Sequence, residues 1–160
     1  MGNCGKVLMS GYRGSYDYSI DEKGRVNIPA RFRKAMNPEA DETFVIIQAP
    51  DRCLRAYPLD AFKKFEEELS IRPQTRATTD LRRVIFSMAR ESTLDSQGRI
   101  SLSPRQIEIA GIEKEVTLVG EGGFIEIWDT RRHAEYLAKI DFDEVFYQSV
   151  EGTMNQKPDQ

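Results

Sequence analysis

The chain has 160 residues, 39% of them hydrophobic and 31% charged, with a net charge of −3. That composition describes an ordinary soluble domain or two small intimate ones. It excludes a membrane span, because no apolar run approaches the ~18 residues one needs, and its two cysteines, Cys4 and Cys53, exclude a disulfide scaffold and a zinc site. In chain order, residues 1–11 read as an N-terminal extension without the apolar core of a secretory signal, and Met9 is an alternative start. Tyr16, Tyr18 and Ile20 alternate with polar residues, so 15–20 reads as a half-buried strand. Glu22-Lys23-Gly24 is turn chemistry. Val26 and Ile28 resume the alternation until Pro29, and 30–36 reads as a short helix around Phe32. Strands are expected at 43–49 and 53–57. A helix over 59–69 carries Leu59, Phe62, Phe65 and Leu69. Residues 70–78 read as a linker. Leu81, Val84, Ile85 and Met88 then mark an amphipathic helix behind a Thr78-Thr79-Asp80 start, whose apolar face is expected in the core, with an oligomer interface as the other reading. Leu94, Ile100 and Leu102 face inward around a turn at Gly98. Strands at 116–120 and 124–128 follow, with a turn at Gly122-Gly123 between them. A helix over 130–140 presents Tyr136, Leu137 and Ile140 on one face, and 151–160 reads as disordered.

These elements state one motif twice. DEKGRVNIPAR at 21–31 and DSQGRISLSPR at 95–105 both give Asp-x-x-Gly-Arg, an apolar–polar–apolar triplet, a proline and an arginine. FVIIQ and CLRAYP in the first half match VTLVG and FIEIWD in the second, with Tyr57 and Trp128 as matched core residues. The chain therefore divides into a repeat at 12–69, a linker and helix at 70–91, a second repeat at 92–140 and an acidic tail at 141–160. The expected class is α+β, mainly β with helices.

Charge follows the motif rather than the average. Residues 6–34 carry seven Lys/Arg against three Asp/Glu, and residues 141–160 carry one Lys against five acids. A local positive field is what meets a phosphate. Asp21 and Arg25 stand four residues apart across a tight reversal, so the carboxylate can fix the guanidinium, whose fork then engages a phosphate or a guanine. Lys23 forms the tip with Gly24 in the turn, and Arg31, Arg33 and Lys34 follow on the helix, with Arg13 ahead of the strand at 15–20. The second copy offers Asp95, Gln97, Gly98, Arg99 and Arg105. Residues 21–34 hold five basic and two acidic residues and residues 95–105 two basic and one acidic, so Arg25 is expected to matter more to binding than Arg99. His133 stands alone among charges, without a nucleophile–base set, clustered metal ligands or a phosphate loop. No enzyme activity, cofactor, metal or small-molecule substrate is expected. Arg72, Arg76, Arg82, Arg83 and Arg90 form a second basic stretch, open to DNA contact, a solvated helix face or subunit salt bridges.

YRGSYDYSIDEKGRVNIPARFR at 12–33, LDSQGRISLSPR at 94–105 and GFIEIWD at 123–129 resemble the two repeats of the MraZ family of bacterial transcriptional regulators. The resemblance covers roughly 12–140. It implies a swapped-hairpin AbrB-like β-barrel and cytoplasmic, nucleoid-associated binding to repeated promoter elements of the division and cell-wall gene cluster. It also implies a ring-shaped homo-oligomer, and DNA-binding Asp-x-x-x-Arg signatures at Asp21/Arg25 and Asp95/Arg99. Gln97 opposite Lys23, and Leu102-Ser103-Pro104 in place of isoleucine-proline-proline, depart from the pattern. An AbrB-type antitoxin and a non-DNA oligomeric scaffold are the alternative readings.

Overall fold

The computed structural model describes residues 11–152. The expectations for the extension up to residue 10, Cys4, a start at Met9 and disorder over 153–160 lie outside the described residues. The chain forms two units, one up to Thr130 and a second from Arg131 onward.

In the first unit, β1 (Tyr12–Ser19) leads through a turn to β2 (Arg25–Asn27) and the short helix α1 (Ala30–Lys34). A 3-10 turn at Pro38–Ala40 precedes the hairpin of β3 (Thr43–Ala49) and β4 (Cys53–Pro58). Helices α2 (Leu59–Ile71) and α3 (Arg76–Met88) then link to β5 (Arg90–Thr93), β6 (Arg99–Ser101) and α4 (Pro104–Ala110). The hairpin of β7 (Glu115–Gly122) and β8 (Ile125–Asp129) completes the unit and turns at Gly123-Phe124. The class is α+β with antiparallel pairing throughout.

Pairing crosses between the repeats. Six strands lie in the order β1-β7-β8-β4-β3-β5, and β2 pairs with β6 in a second sheet. β1 of the first repeat runs along β7 of the second, from Tyr12 opposite Gly122 to Ser19 opposite Glu115. Reciprocally, β5 of the second repeat pairs with β3 of the first. Exchanging the repeats reads this strand order backwards unchanged, so the two halves interlock about a pseudo-two-fold axis. Each repeat completes the other's sheet and covers its edge.

The core draws on both copies. Val26, Ile28 and Phe32 from the first motif meet Ile100 and Leu102 from the second, over Phe44, Ile46, Leu54, Leu118, Ile125 and Ile127. Val26 and Ile100 pair directly across β2–β6, and both are fully buried. Full burial of such a side chain contributes about 1.5–3 kcal/mol, so a motif slipped by one residue would forfeit several of these contributions at once. Tyr57 and Trp128 are buried, as their matched positions suggest.

The strand that the repeat implies before the second turn forms as β5, starting inside the expected 70–91 linker, although REST has only Ser92 buried and no apolar alternation. Two expectations for α3 change. Helix α3 begins at Arg76, because Thr75 and Thr78 form a reciprocal capping box one turn before Thr78-Thr79-Asp80. Its apolar face is core only in part: Ile85 is buried with Val45, Ile47 and Phe62 and Met88 is half-buried, but Leu81 and Val84 are exposed. On α2 the expected face holds, with Phe62 and Leu69 buried and Leu59 and Phe65 packed against Val45, Ile47 and Tyr57.

The second unit holds most of α5 (Thr130–Ala138) and α6 (Phe142–Phe146), followed by a π-type turn at Tyr147–Glu151. Asp141 caps α6 by accepting from the Glu144 N–H at 3.2 Å, and the Phe142 and Phe146 rings lie 5.7 Å apart. The acidic segment read as a tail is thus helical as far as residue 151.

Candidate nucleic-acid interface

The motif builds the same local object twice. In the first turn the Asp21 carboxylate accepts from the backbone N–H of Lys23 at 3.0 Å and of Arg25 at 2.8 Å, while its second oxygen accepts from Arg25 Nε. In the second, Asp95 accepts from Gln97 N and Arg99 N, each at 2.9 Å, and from Arg99 Nε at 2.8 Å. The aspartate therefore does two jobs: it closes the turn as an Asx acceptor and it orients the guanidinium. These N–H donors hold both carboxyls below the usual carboxylate range. The backbone N–H of the following arginine is the largest cause in each, with its side chain adding to it.

Glycine is required where the turn meets its partner repeat. Gly24 has φ +77° and Gly98 φ +73°, a region closed to most side chains. The Gly24 carbonyl accepts from Leu102 N at 2.8 Å, and the Gly98 carbonyl from Ile28 N at 3.0 Å. The same two hydrogen bonds, 74 residues apart in the sequence, lock each turn onto the other repeat's post-strand residue.

Both ion pairs belong to one cluster. Arg99 Nη1 lies 3.8 Å from Asp21 Oδ2, so Arg99 faces the carboxylates of both repeats. Arg25 opposes Ser101 and Asn27 opposes Arg99 on the outward face of β2–β6. The arginines are half-buried rather than fully exposed as expected at turn exits, with side chains 33% and 19% accessible for Arg25 and Arg99. Lys23 and Gln97 project at the two tips, both exposed.

The helices after the motifs do not sit over their own turns. The Arg33 guanidinium carbon lies 2.8 Å from where a Cβ on Gly98 would stand, and Arg33 Nε donates to the Ile28 carbonyl at 3.1 Å. Arg33 thus covers the second turn. At its equivalent position, Ile107 covers the first, its Cδ1 3.3 Å from a Cβ on Gly24. An open depression of about 470 Å³ beside the first turn is lined by Glu22, Lys23, Gly24, Leu102, Pro104 and Ile107. Charge summed over sequence neighbours therefore does not describe charge in space. Exchange of the repeats separates Arg33 from the turn it follows in the chain, and no local pattern carries that information.

Other residues of the sequence reading fall elsewhere. Arg13 lies towards the far end of β1, opposite Glu121, about 20 Å of strand from Ser19. Arg105 Nε contacts Met88 Sδ at 3.1 Å and lines a separate depression with Gln48, Arg52 and Glu108. Arg31 and Lys34 are exposed on α1. Of the second basic stretch, Arg76 and Arg83 lie 3.7 and 3.9 Å from Asp80, and Arg82 Nη1 donates to Gln74 Oε1 at 2.6 Å. Gln106, unmarked in the sequence, is fully buried and donates to the carbonyls of Ile46 at 3.1 Å and Met88 at 3.2 Å. It also closes a capping box with Ser103, and that Ser-x-x-Gln spacing was the signal for it. No cluster of metal-binding side chains is present among the described residues.

The two interlocked repeats are those of a known family. Residues 12–83 and 85–151 each match the family described as "MraZ protein, putative antitoxin-like". The chain belongs to the MraZ family. It is 39% identical over 127 residues to a protein named Transcriptional regulator MraZ from Acidithiobacillus ferrooxidans, covering 76% of this chain and 84% of that protein. A protein of the same name from Syntrophomonas wolfei is 41% identical over 128 residues, covering 78% and 85%. A third, from Heliobacterium modesticaldum, is 39% identical over 129 residues, covering 80% and 87%. The matched MraZ relatives carry the name of a regulator, not of an enzyme.

Proposed function

We propose that this protein is a sequence-specific DNA-binding transcriptional regulator that reads double-stranded DNA with its two Asp-x-x-Gly-Arg turns. The observation that carries the reading is the shared cluster of Asp21, Arg25, Asp95 and Arg99 on one outward face, which pre-orients two guanidinium forks. An arginine already fixed by a carboxylate loses less freedom on engaging a guanine edge or a phosphate. Lys23 and Gln97 form the tips that approach the duplex, with Gly24 and Gly98 closing the turns behind them, and Arg31, Arg33, Lys34 and Arg105 supply flanking phosphate contacts. Arg13 would reach only DNA that extends along β1. The target is the repeated promoter element of the division and cell-wall gene cluster. The binding form is a homo-oligomeric ring that sets several turn pairs on one rim, in the cytoplasm at the nucleoid. The two sheets form the walls of an AbrB-like barrel. Two motifs in one chain favour this reading over a single-motif antitoxin.

Titrating the protein onto a labelled duplex from upstream of its own gene, at rising salt, tests the reading. Each phosphate neutralised steepens the fall of log K with log salt by about 0.9. A steep fall is expected, and a scaffold without DNA affinity would show no binding at any salt.

A further inference from the structure

Each turn contains an aspartate–arginine pair whose charges offset one another, so the field presented to a phosphate depends on what else stands beside it. Beside the first turn the exposed cation is Lys23, next to the exposed carboxylate of Glu22, and the wall is the apolar edge of Leu102, Pro104 and Ile107 from the second repeat. Beside the second turn the tip is neutral Gln97, and the cation is Arg33 from the first repeat, lying over Gly98. Ile28 ties that arginine in place: its N–H donates to the Gly98 carbonyl at 3.0 Å, and its own carbonyl accepts from Arg33 Nε at 3.1 Å. The tethered guanidinium keeps four N–H donors on its two terminal nitrogens. In the sequence the second repeat lacks three of the first repeat's cations: Glu108 stands in place of Lys34, and beside the turns two are lost, with Gln97 in place of Lys23 and Ile107 in place of Arg33. In space the two losses fall on different turns.

We propose that the DNA-reading halves are composite, with Arg33 of the first repeat serving the Asp95–Arg99 turn as its phosphate-contacting cation and Lys23 serving the Asp21–Arg25 turn. The proposal rests on the DNA-binding reading above and deepens it. It replaces the sequence-based ranking of the two arginines: each half holds one fixed fork and one cation beside it, Lys23 next to Glu22 on the first and Arg33 over Gly98 on the second, so charge counted along the chain does not rank them. Ile107 over the first turn is the structural counterpart of Arg33 over the second, which makes the arrangement transferable by swapping the two side chains.

A double-mutant cycle on the full chain decides it, with a labelled duplex from upstream of its own gene at fixed salt. Arg33→Ile weakens binding on the order of tenfold. In an Arg99→Ala background the same change costs less than about twofold, whereas in an Arg25→Ala background it keeps its full effect. Adding Ile107→Arg to Arg33→Ile restores affinity and transfers the coupling to Arg25. A DNA-free measurement accompanies the cycle: Arg33→Ile shifts the amide resonances of Gln97 and Gly98 and leaves those of Lys23 and Gly24 in place. Coupling of Arg33 to Arg25, or additivity with both arginines, overturns the composite assignment while leaving DNA binding intact. Failure of the unmutated chain to bind the duplex overturns both readings together.

Discussion

Replacing Gly24 with alanine is expected to destabilise the fold more than replacing Gly98, although the two glycines are equivalent in the repeats. Both have left-handed backbones, and alanine in that region costs about 1–2 kcal/mol. The difference lies in what the new Cβ meets. At Gly24 it would stand 2.6 Å from the Leu102 carbonyl oxygen, which is backbone and belongs to the partner repeat. The clash must move β6 or the turn, and so weakens the 2.8 Å bond from Leu102 N to the Gly24 carbonyl. Losing that bond costs about 1 kcal/mol more, and buried Leu102 shifts with it. At Gly98 the nearest atoms, at 2.8–2.9 Å, all belong to the Arg33 side chain, which can swing away. Gly24→Ala should therefore cost about 2–4 kcal/mol and Gly98→Ala about 1–2 kcal/mol. At an m-value of about 1–2 kcal/mol/M, urea unfolding at one protein concentration should separate the midpoints by roughly 0.5–2 M. Equal midpoints, or a lower midpoint for Gly98→Ala, would refute the steric argument. Gly98→Ala carries a second signature, a loss of DNA affinity in a folded protein, because the new methyl group displaces Arg33.

Three further outcomes follow from the same geometry. Asp21 and Asp95 have carboxyl groups held below the usual range. Their stabilisation is present above the ordinary carboxylate value of about 3.9 and is lost as pH falls through the lower folded values. Urea midpoints from pH 7 to pH 3 should fall less steeply for Asp21→Asn/Asp95→Asn than for the unmutated chain, and identical slopes would count against it. Gln106→Leu leaves the buried Ile46 carbonyl without its donor and should cost about 1–3 kcal/mol by denaturant titration, with a change under 0.5 kcal/mol contradicting the assignment. Cys53 is buried and its thiol is pushed up to about 12, burial being the main cause and the Glu126 charge adding to it. Alkylation at pH 8, mapped by mass spectrometry, should spare Cys53 in the native protein and label it in urea.

Much of this surface was legible in the sequence because its determinants are local. An aspartate two residues before a turn tip, a glycine directly after the tip and an arginine four residues on from the aspartate are enough to write the Asp21 and Asp95 hydrogen bonds. Apolar segments matched between the two repeats placed β3, β4, β7 and β8, and the spacing of Phe62, Phe65 and Leu69 placed α2. What escaped depends on partners distant in the chain. β5 was legible only as the repeat of β1: it has little apolar character of its own and exists as a strand because β3 offers it an edge. The apolar residues of α3 follow helical spacing, but spacing cannot tell a core face from an exposed one. Helix α6 hides in an acidic segment whose Phe142 and Phe146 fall one turn apart. The largest revision concerns charge: Arg33 follows the first turn in the chain and stands over the second in space.

The most direct test of the central claim is the DNA affinity of Arg25→Ala/Arg99→Ala beside the unmutated chain. The measurement uses a duplex from upstream of its own gene and a scrambled duplex of equal length, with circular dichroism and oligomeric state recorded for both proteins. Each arginine that reads a base edge is worth about 1–3 kcal/mol of discrimination. The double variant should therefore keep its fold and assembly and bind both duplexes alike, with the preference for the upstream sequence gone. A folded double variant that retains that preference would contradict the claim that these two turns read the DNA.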